Sequence, residues 1–308
     1  LIFFYLLPPI LVAAVLVWAW APDRERSALD AKYAHAATEY RSVAAATLRV
    51  RDTGPAGAPA VVLLHGFGSS LETWDPWAEV LSQEFRVVRF DFPGAGLSGR
   101  DPHEDYGDAR SVELLRSLMS QLGLARAALV GNSLGGRIAW RFAAQFPANV
   151  SRLVLISPDG FASPGFDYGR PPKVPGILKL MKYFLPKRVL RANLAAAYGD
   201  PLRLGDLRVD RYYDLLLATG NREAMIARMR QTVLEDPAPT LRRIQTPTLL
   251  MWGERDKMIP ISNAGDYLRC LPHAELVSFA TLGHVPHEEA PAESVEPLLR
   301  FLRAAPLT

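Results

Sequence analysis

A single cysteine, Cys270, leaves this chain without an intrachain disulfide framework or a cysteine-rich metal site. It leaves the compartment open, because disulfide-free proteins occur on both sides of a membrane. Strong charge of either sign is missing too. The formal net charge is +3 and no RNA- or DNA-binding motif is present, so a nucleic-acid partner is not expected. With 49% hydrophobic and 22% charged residues the composition is that of a globular chain, and 308 residues suffice for one large domain with an insert. Charge is absent altogether from Leu1 to Ala21, where nearly every residue is apolar. At 1.5 Å per residue such a helix spans about 30 Å, the thickness of a bilayer core.

Residues 1–21 therefore read as a single-pass transmembrane anchor. Bilayer-spanning helices tolerate prolines such as Pro8 and Pro9. Trp18 and Trp20 stand where interfacial indoles are favoured, and Asp23, Arg24, Glu25 and Arg26 end the run. Two other readings stand beside this one. Ala19-Trp20-Ala21 resembles the cleavage site of a signal peptide, although Pro22 comes directly after it and no basic n-region precedes it. A buried helix is the third. Arg24, Arg26 and Lys32 after the run favour a cytoplasmic domain by the positive-inside tendency, but flanking charge alone leaves the membrane side open.

Residues 22–42 are charged and alanine-rich and read as a helical connector. Thr47–Arg51 has the β-branched alternation of a short strand. Ala60–Leu64 is an unbroken apolar run, as expected of a strand buried on both faces of a parallel sheet. Similar runs recur at Phe85–Phe90, Ala127–Val130, Leu153–Ile156 and Thr248–Trp252, with a mixed one at Glu275–Phe279. Helical patterns such as Ser111–Leu122 and Gly136–Gln145 lie between them. This alternation predicts an α/β fold, a doubly wound and mostly parallel sheet. It breaks between Asp159 and Arg243, where Ile177–Leu185 and Val209–Gln231 read as helices. A segment of that length is too long for a loop. The organisation expected is a core of residues 43–158 and 241–308, interrupted by a helical cap of residues 159–240.

Gly131-Asn132-Ser133-Leu134-Gly135 matches G-x-S-x-G, directly after one predicted strand and directly before a predicted helix. A serine on such a sharp turn exposes its hydroxyl, and small residues two positions either side let strand and helix close up. Ser133 is the candidate nucleophile. A hydroxyl needs a base, and the base needs an orienting carboxylate. Gly283-His284 comes after the last predicted strand and supplies the base. His287 is a rival, but Pro286 before it and Glu288-Glu289 after it suggest the start of a helix. Asp256, after the strand Thr248–Trp252, is the candidate acid, with Glu254 and Asp159 as alternatives. The order Ser133, Asp256, His284 is the one expected on this fold. The N–H groups of Leu134, after the nucleophile, and Phe67, in the loop His65-Gly66-Phe67-Gly68, are the candidate oxyanion donors. His65 itself reads as structural. No metal and no organic cofactor is implied.

These motifs, with Asp91-Phe92-Pro93-Gly94-Ala95-Gly96-Leu97-Ser98, resemble the α/β-hydrolases that carry an early His-Gly oxyanion loop. The resemblance runs from about Val43 to Leu302 and implies a sheet of about eight strands with a helical cap over the site. It implies hydrolysis of a carboxylic ester through an acyl-enzyme, the substrate being a small-molecule ester, with lipidic esters among the candidates. Gly131-Asn132-Ser133 also resembles the elbow of meta-cleavage-product hydrolases, which cut carbon–carbon bonds. Arg211 lies in the region of their cap arginine, but Val285 stands where they carry a tryptophan. A cofactor-free haloperoxidase-like perhydrolase is a further alternative. Haloalkane dehalogenases and soluble epoxide hydrolases carry an Asp where Ser133 stands.

The cap segment 170–191 holds seven basic residues and no acidic one. Ile177, Leu180, Met181 and Phe184 are spaced as one helical face. That face is expected to line the acyl pocket, and the alternative is that it lies against an anionic lipid surface.

Overall fold

The computed structural model describes residues 11, 13–162 and 168–304. Eight strands form one sheet: β1 Thr38–Val43, β2 Ala46–Thr53, β3 Ala60–Leu64, β4 Arg86–Phe90, β5 Ala127–Asn132, β6 Val150–Ile156, β7 Thr248–Gly253 and β8 Ala274–Phe279. Their spatial order is β1-β2-β4-β3-β5-β6-β7-β8. β1 and β2 pair antiparallel, β2 joins β4 antiparallel, and all other pairs are parallel. The central strands β3, β5 and β7 are buried along their whole length. Side chains alternate across a strand. Val62 and Leu64 thus enter one apolar core with Leu129 and Ile138, while Val61 and Leu63 enter the other with Trp74 and Leu298. Helices cover both faces, as a parallel sheet requires.

Strand β1 departs from the expected helical connector. The helix there is confined to Arg26–Lys32, and Thr38–Val43 forms a hairpin with β2 in which Val43 pairs Ala46. Its turn residues, Ala44 and Ala45, both have positive φ, 44° and 70°. Asn-Gly is the usual occupant of such a turn. Two alanines carry no turn signal, so the hairpin is invisible to pattern reading.

The chain leaves the sheet after β6 and re-enters it at β7, and the intervening residues carry the cap. Val209–Gln231 is two helices, Asp206–Leu216 and Asn221–Gln231, separated at Gly220, whose φ of 85° an α-helix does not accommodate. Gly176–Lys182 is a 3₁₀ helix. The expected face is split: Ile177 is 71% and Leu180 48% exposed, while Met181 packs against Leu185 and Leu217.

Among the described residues no helix is long and apolar enough to cross a membrane. Most of the first half of the 1–21 segment lies outside the described residues, and residues 13–19 are helical. From Ala19 to Arg24 the backbone docks on the cap rather than the sheet. Leu185 N–H donates to Ala19 O at 3.0 Å, Ala21 N–H to Tyr183 O at 2.9 Å, and Arg24 N–H to Leu217 O at 2.7 Å. Arg222, fully buried, donates to Ala21 O at 2.7 Å and pairs with Asp23.

Candidate active site

Ser133 sits between β5 and the helix Leu134–Gln145 with φ 53° and ψ −118°. A non-glycine residue in such a conformation costs on the order of 1–3 kcal/mol and persists only when its surroundings hold it. Here they do. Its N–H donates to Ile156 O at 3.0 Å, and its carbonyl accepts from Arg137 N–H at 3.0 Å and Asp159 N–H at 3.1 Å. The flanking glycines are a packing requirement. A Cβ on Gly131 would run into the Gly135 carbonyl, and one on Gly135 into Leu64 O.

The second polar centre is a buried pair. Asp256 Oδ2 lies 2.8 Å from His284 Nδ1, and both side chains are shielded from solvent. Asp256 Oδ1 is occupied by the N–H groups of Met258 at 2.8 Å and Ile259 at 2.9 Å. A carboxylate fixed at both oxygens holds the imidazole with Nδ1–H toward Asp256 and leaves Nε2 as the free nitrogen. The backbone of His284 is clamped as well. Its N–H donates to Ala197 O of the cap at 2.7 Å, and Asn132 Nδ2 donates to its carbonyl at 3.0 Å and to Ile156 O at 3.1 Å. Both Asn132 amide hydrogens are thus used, and the polar residue that interrupts apolar β5 is accounted for by tying the elbow to the His284 loop. Glu289 adds a further clasp, accepting from the N–H groups of Gly283, Asp200 and Gly199 at 2.8, 2.8 and 3.0 Å.

The other candidates are held elsewhere. Asp159 pairs with Arg137 at 2.6 Å, and Glu254 accepts from Ser278 Oγ at 2.8 Å on the sheet edge. His287 lies in the short helix Pro286–Glu289, stacks on Trp74 with ring centroids 4.2 Å apart, and meets Thr73 Oγ1 at 3.0 Å. His65 is structural. Phe92 N–H donates to its Nε2 at 3.0 Å, which puts the ring proton on Nδ1, and Nδ1–H donates to Gly66 O at 2.8 Å. That ring supports the turn carrying Phe67. Leu134 is the first residue of its helix, so its N–H is one of the orphan donors of a helix start. Phe67, Ser133 and Leu134 line one cavity of about 620 Å³, walled on the cap side by Val174, Met229 and Leu234.

Arg211 is not free to receive a substrate. Its guanidinium pairs with the buried carboxylate of Glu288 and donates to Glu72 O at 3.3 Å. Glu288 also accepts from Tyr198 OH at 2.7 Å and Tyr212 OH at 3.2 Å, and Tyr212 OH reaches Ser69 Oγ at 3.2 Å. The pattern of the sequence does not disclose this junction of cap and core, because Glu288 reads as an ordinary acidic residue at a helix start.

Burial disfavours the charged imidazole and lowers His65 to about 4 and His287 to about 3. Both are neutral in the fold at pH 7, whereas in the unfolded chain they take up protons below about 6.5. Their contribution to stability is full above that value and is lost as pH falls through about 4 and then 3. Asp91, raised by burial, acts in the opposite direction. The two larger histidine shifts dominate, so Tm by calorimetry should fall from pH 7 to pH 4.5, and a rise would contradict this account.

A family model for the alpha/beta hydrolase fold matches residues 59–291, and the chain belongs to that family. It is 32% identical over 249 residues to a 2-hydroxy-6-oxo-2,4-heptadienoate hydrolase of Pseudomonas putida, covering 76% of this chain and 85% of that protein. Among solved structures it is similar to a membrane phospholipase A described as a bacterial virulence factor. There the TM-score is 0.74 and the identity 24%, over 98% of this chain and 97% of that one. The meta-cleavage product hydrolase of Pseudomonas fluorescens IP01 superposes with TM-score 0.75 at 22% identity, over 86% of this chain and 97% of that one.

Proposed function

We propose that this hydrolase cleaves a carboxylic ester with an apolar acyl group, using Ser133 as nucleophile, His284 as base and Asp256 as orienting acid. The observation that carries this reading is Ser133 on a strained elbow at the wall of a large cavity, tied through Asn132 to the loop of a buried imidazole–carboxylate pair that leaves Nε2 free. His284 Nε2 takes the hydroxyl proton as Ser133 Oγ attacks the carbonyl. The developing oxyanion rests on the N–H groups of Phe67 and Leu134. His284 then gives its proton to the departing alcohol, and finally activates the water that releases the acid.

Carbon–carbon bond hydrolysis is the competing reading, favoured by the relative from Pseudomonas putida. Arg211 weighs against it, being neutralised by Glu288, and so does Val285 after the histidine. A membrane attachment through residues 1–21 belongs to the same proposal. It is supported by the exposed Val15, Leu16, Val17, Trp18 and Trp20, and by the stacking of Trp20 on exposed Tyr183 of the cap.

A fluorophosphonate probe tests the mechanism. The folded protein should label, and the Ser133→Ala variant should not; an unlabelled wild type would overturn the proposal. Turnover of an octanoate ester compared with a ring-fission dienoate then decides between the two bond types.

A further inference from the structure

We propose that Arg170 and Lys173 select an anionic amphiphile: an ester whose acyl chain fills the cavity beside Ser133 and whose other end carries a phosphate or carboxylate. The inference rests on the serine hydrolase reading and adds a substrate class to it. Four charged side chains line the cavity: Arg137, Asp159, Arg170 and Lys173. Two of them cancel, because Arg137 is buried and holds Asp159 at 2.6 Å. Arg170 and Lys173 are left over. Both are exposed, and neither forms an ion pair among the described residues. A cavity wall with two cations that are unpaired among the described residues attracts anions and repels cations, and its field is focused by the apolar side chains around it.

The backbone prepares the pair for this task. Pro171 and Pro172 lie between the two cations and fix φ there, and Gly169 N–H donates to Leu234 O at 2.7 Å just before them. The two cations are thereby presented from a stiffened segment, so ordering them on a ligand costs less entropy than on a free loop. Apart from Ser133 and Thr232 the rest of the wall is apolar, with Phe67, Leu134, Val174, Met229 and Leu234, and about 620 Å³ is ample for an acyl chain. A guanidinium binds phosphate or carboxylate through two parallel hydrogen bonds, and an ammonium adds a point charge.

The test is a ratio. For wild type and the R170E/K173E variant, kcat/KM is measured on dioctanoylphosphatidylglycerol, on neutral dioctanoylglycerol and on the octanoyl ester of a hydroxy acid, all below their aggregation concentrations. The anionic-to-neutral ratio should fall at least tenfold in the variant, through KM rather than kcat. The phosphate and carboxylate arms show which anion is preferred. A ratio within twofold of wild type overturns the proposal. So does an equal loss on all three esters, because that is what a structural role would give. Labelling by fluorophosphonate without turnover of any of these esters also overturns it, while leaving the serine mechanism standing. Absence of labelling removes both.

Discussion

Asp256→Asn should lower kcat by about 10⁴-fold while leaving the Tm near that of the wild type. The asymmetry arises from what each oxygen does. Oδ1 binds the N–H groups of Met258 and Ile259, and an asparagine can keep those bonds with its carbonyl oxygen. The amide nitrogen is then left facing His284 Nδ1, 2.8 Å away in the wild type. Being a donor, it forces the imidazole proton onto Nε2. A ring protonated there has no lone pair for the Ser133 hydroxyl. The fold survives and the base is in the wrong tautomer. The measurement is steady-state turnover of a p-nitrophenyl ester together with thermal melting. Turnover near the wild-type rate would remove Asp256 from the mechanism.

The second large effect is on stability. Arg211→Met should cost about 3–5 kcal/mol, because it leaves the carboxylate of Glu288 buried with only neutral hydroxyl donors. For a chain of this size that corresponds to a drop in Tm on the order of 10 °C. Combining it with Glu288→Gln should restore a good part of the loss, since the uncompensated charge then disappears. A double-mutant cycle by denaturant unfolding measures the coupling. The same variant separates two roles for this arginine. A residue reserved for a substrate carboxylate would raise KM and leave the melting temperature alone.

Much of the architecture is legible in the sequence, and the reason is local. A parallel strand buried on both faces calls for a continuous apolar run: β3 is one throughout, β5, β6 and β7 contain one at Ala127–Val130, Leu153–Ile156 and Leu249–Trp252, and β4 is interrupted by Arg86 and Arg89. The Gly131 to Gly135 turn is legible because only glycine fits two carbonyl contacts that the strand and helix impose. The features that escape are held by partners distant in sequence. Strand β1 lies at the sheet edge and its turn uses alanines at positive φ. The cap helices obey local propensity less than the docking they make, so a pattern read as one helix from Val209 is two. The roles of Asn132, Glu288 and Glu289 depend on backbone groups or side chains up to 152 residues away, and no spacing rule reaches that far.

The docking of residues 19–26 on the cap has a mechanical consequence. The cap is joined to the sheet by two covalent connections, after Ile156 and before Thr248. A flap on two neighbouring hinges swings about the line between them. The N-terminal segment adds an attachment through Leu185, Leu217 and Arg222 to those the core makes at Ala197, Gly199 and Arg211, before its own chain enters the sheet at Thr38. A cap tied down at this many points behaves as a truss rather than a door. Tension applied to the residues before Ala19 is delivered to the cap before it reaches the strand that begins at Thr38. The segment that leads into this protein is, in load-carrying terms, the handle of its lid.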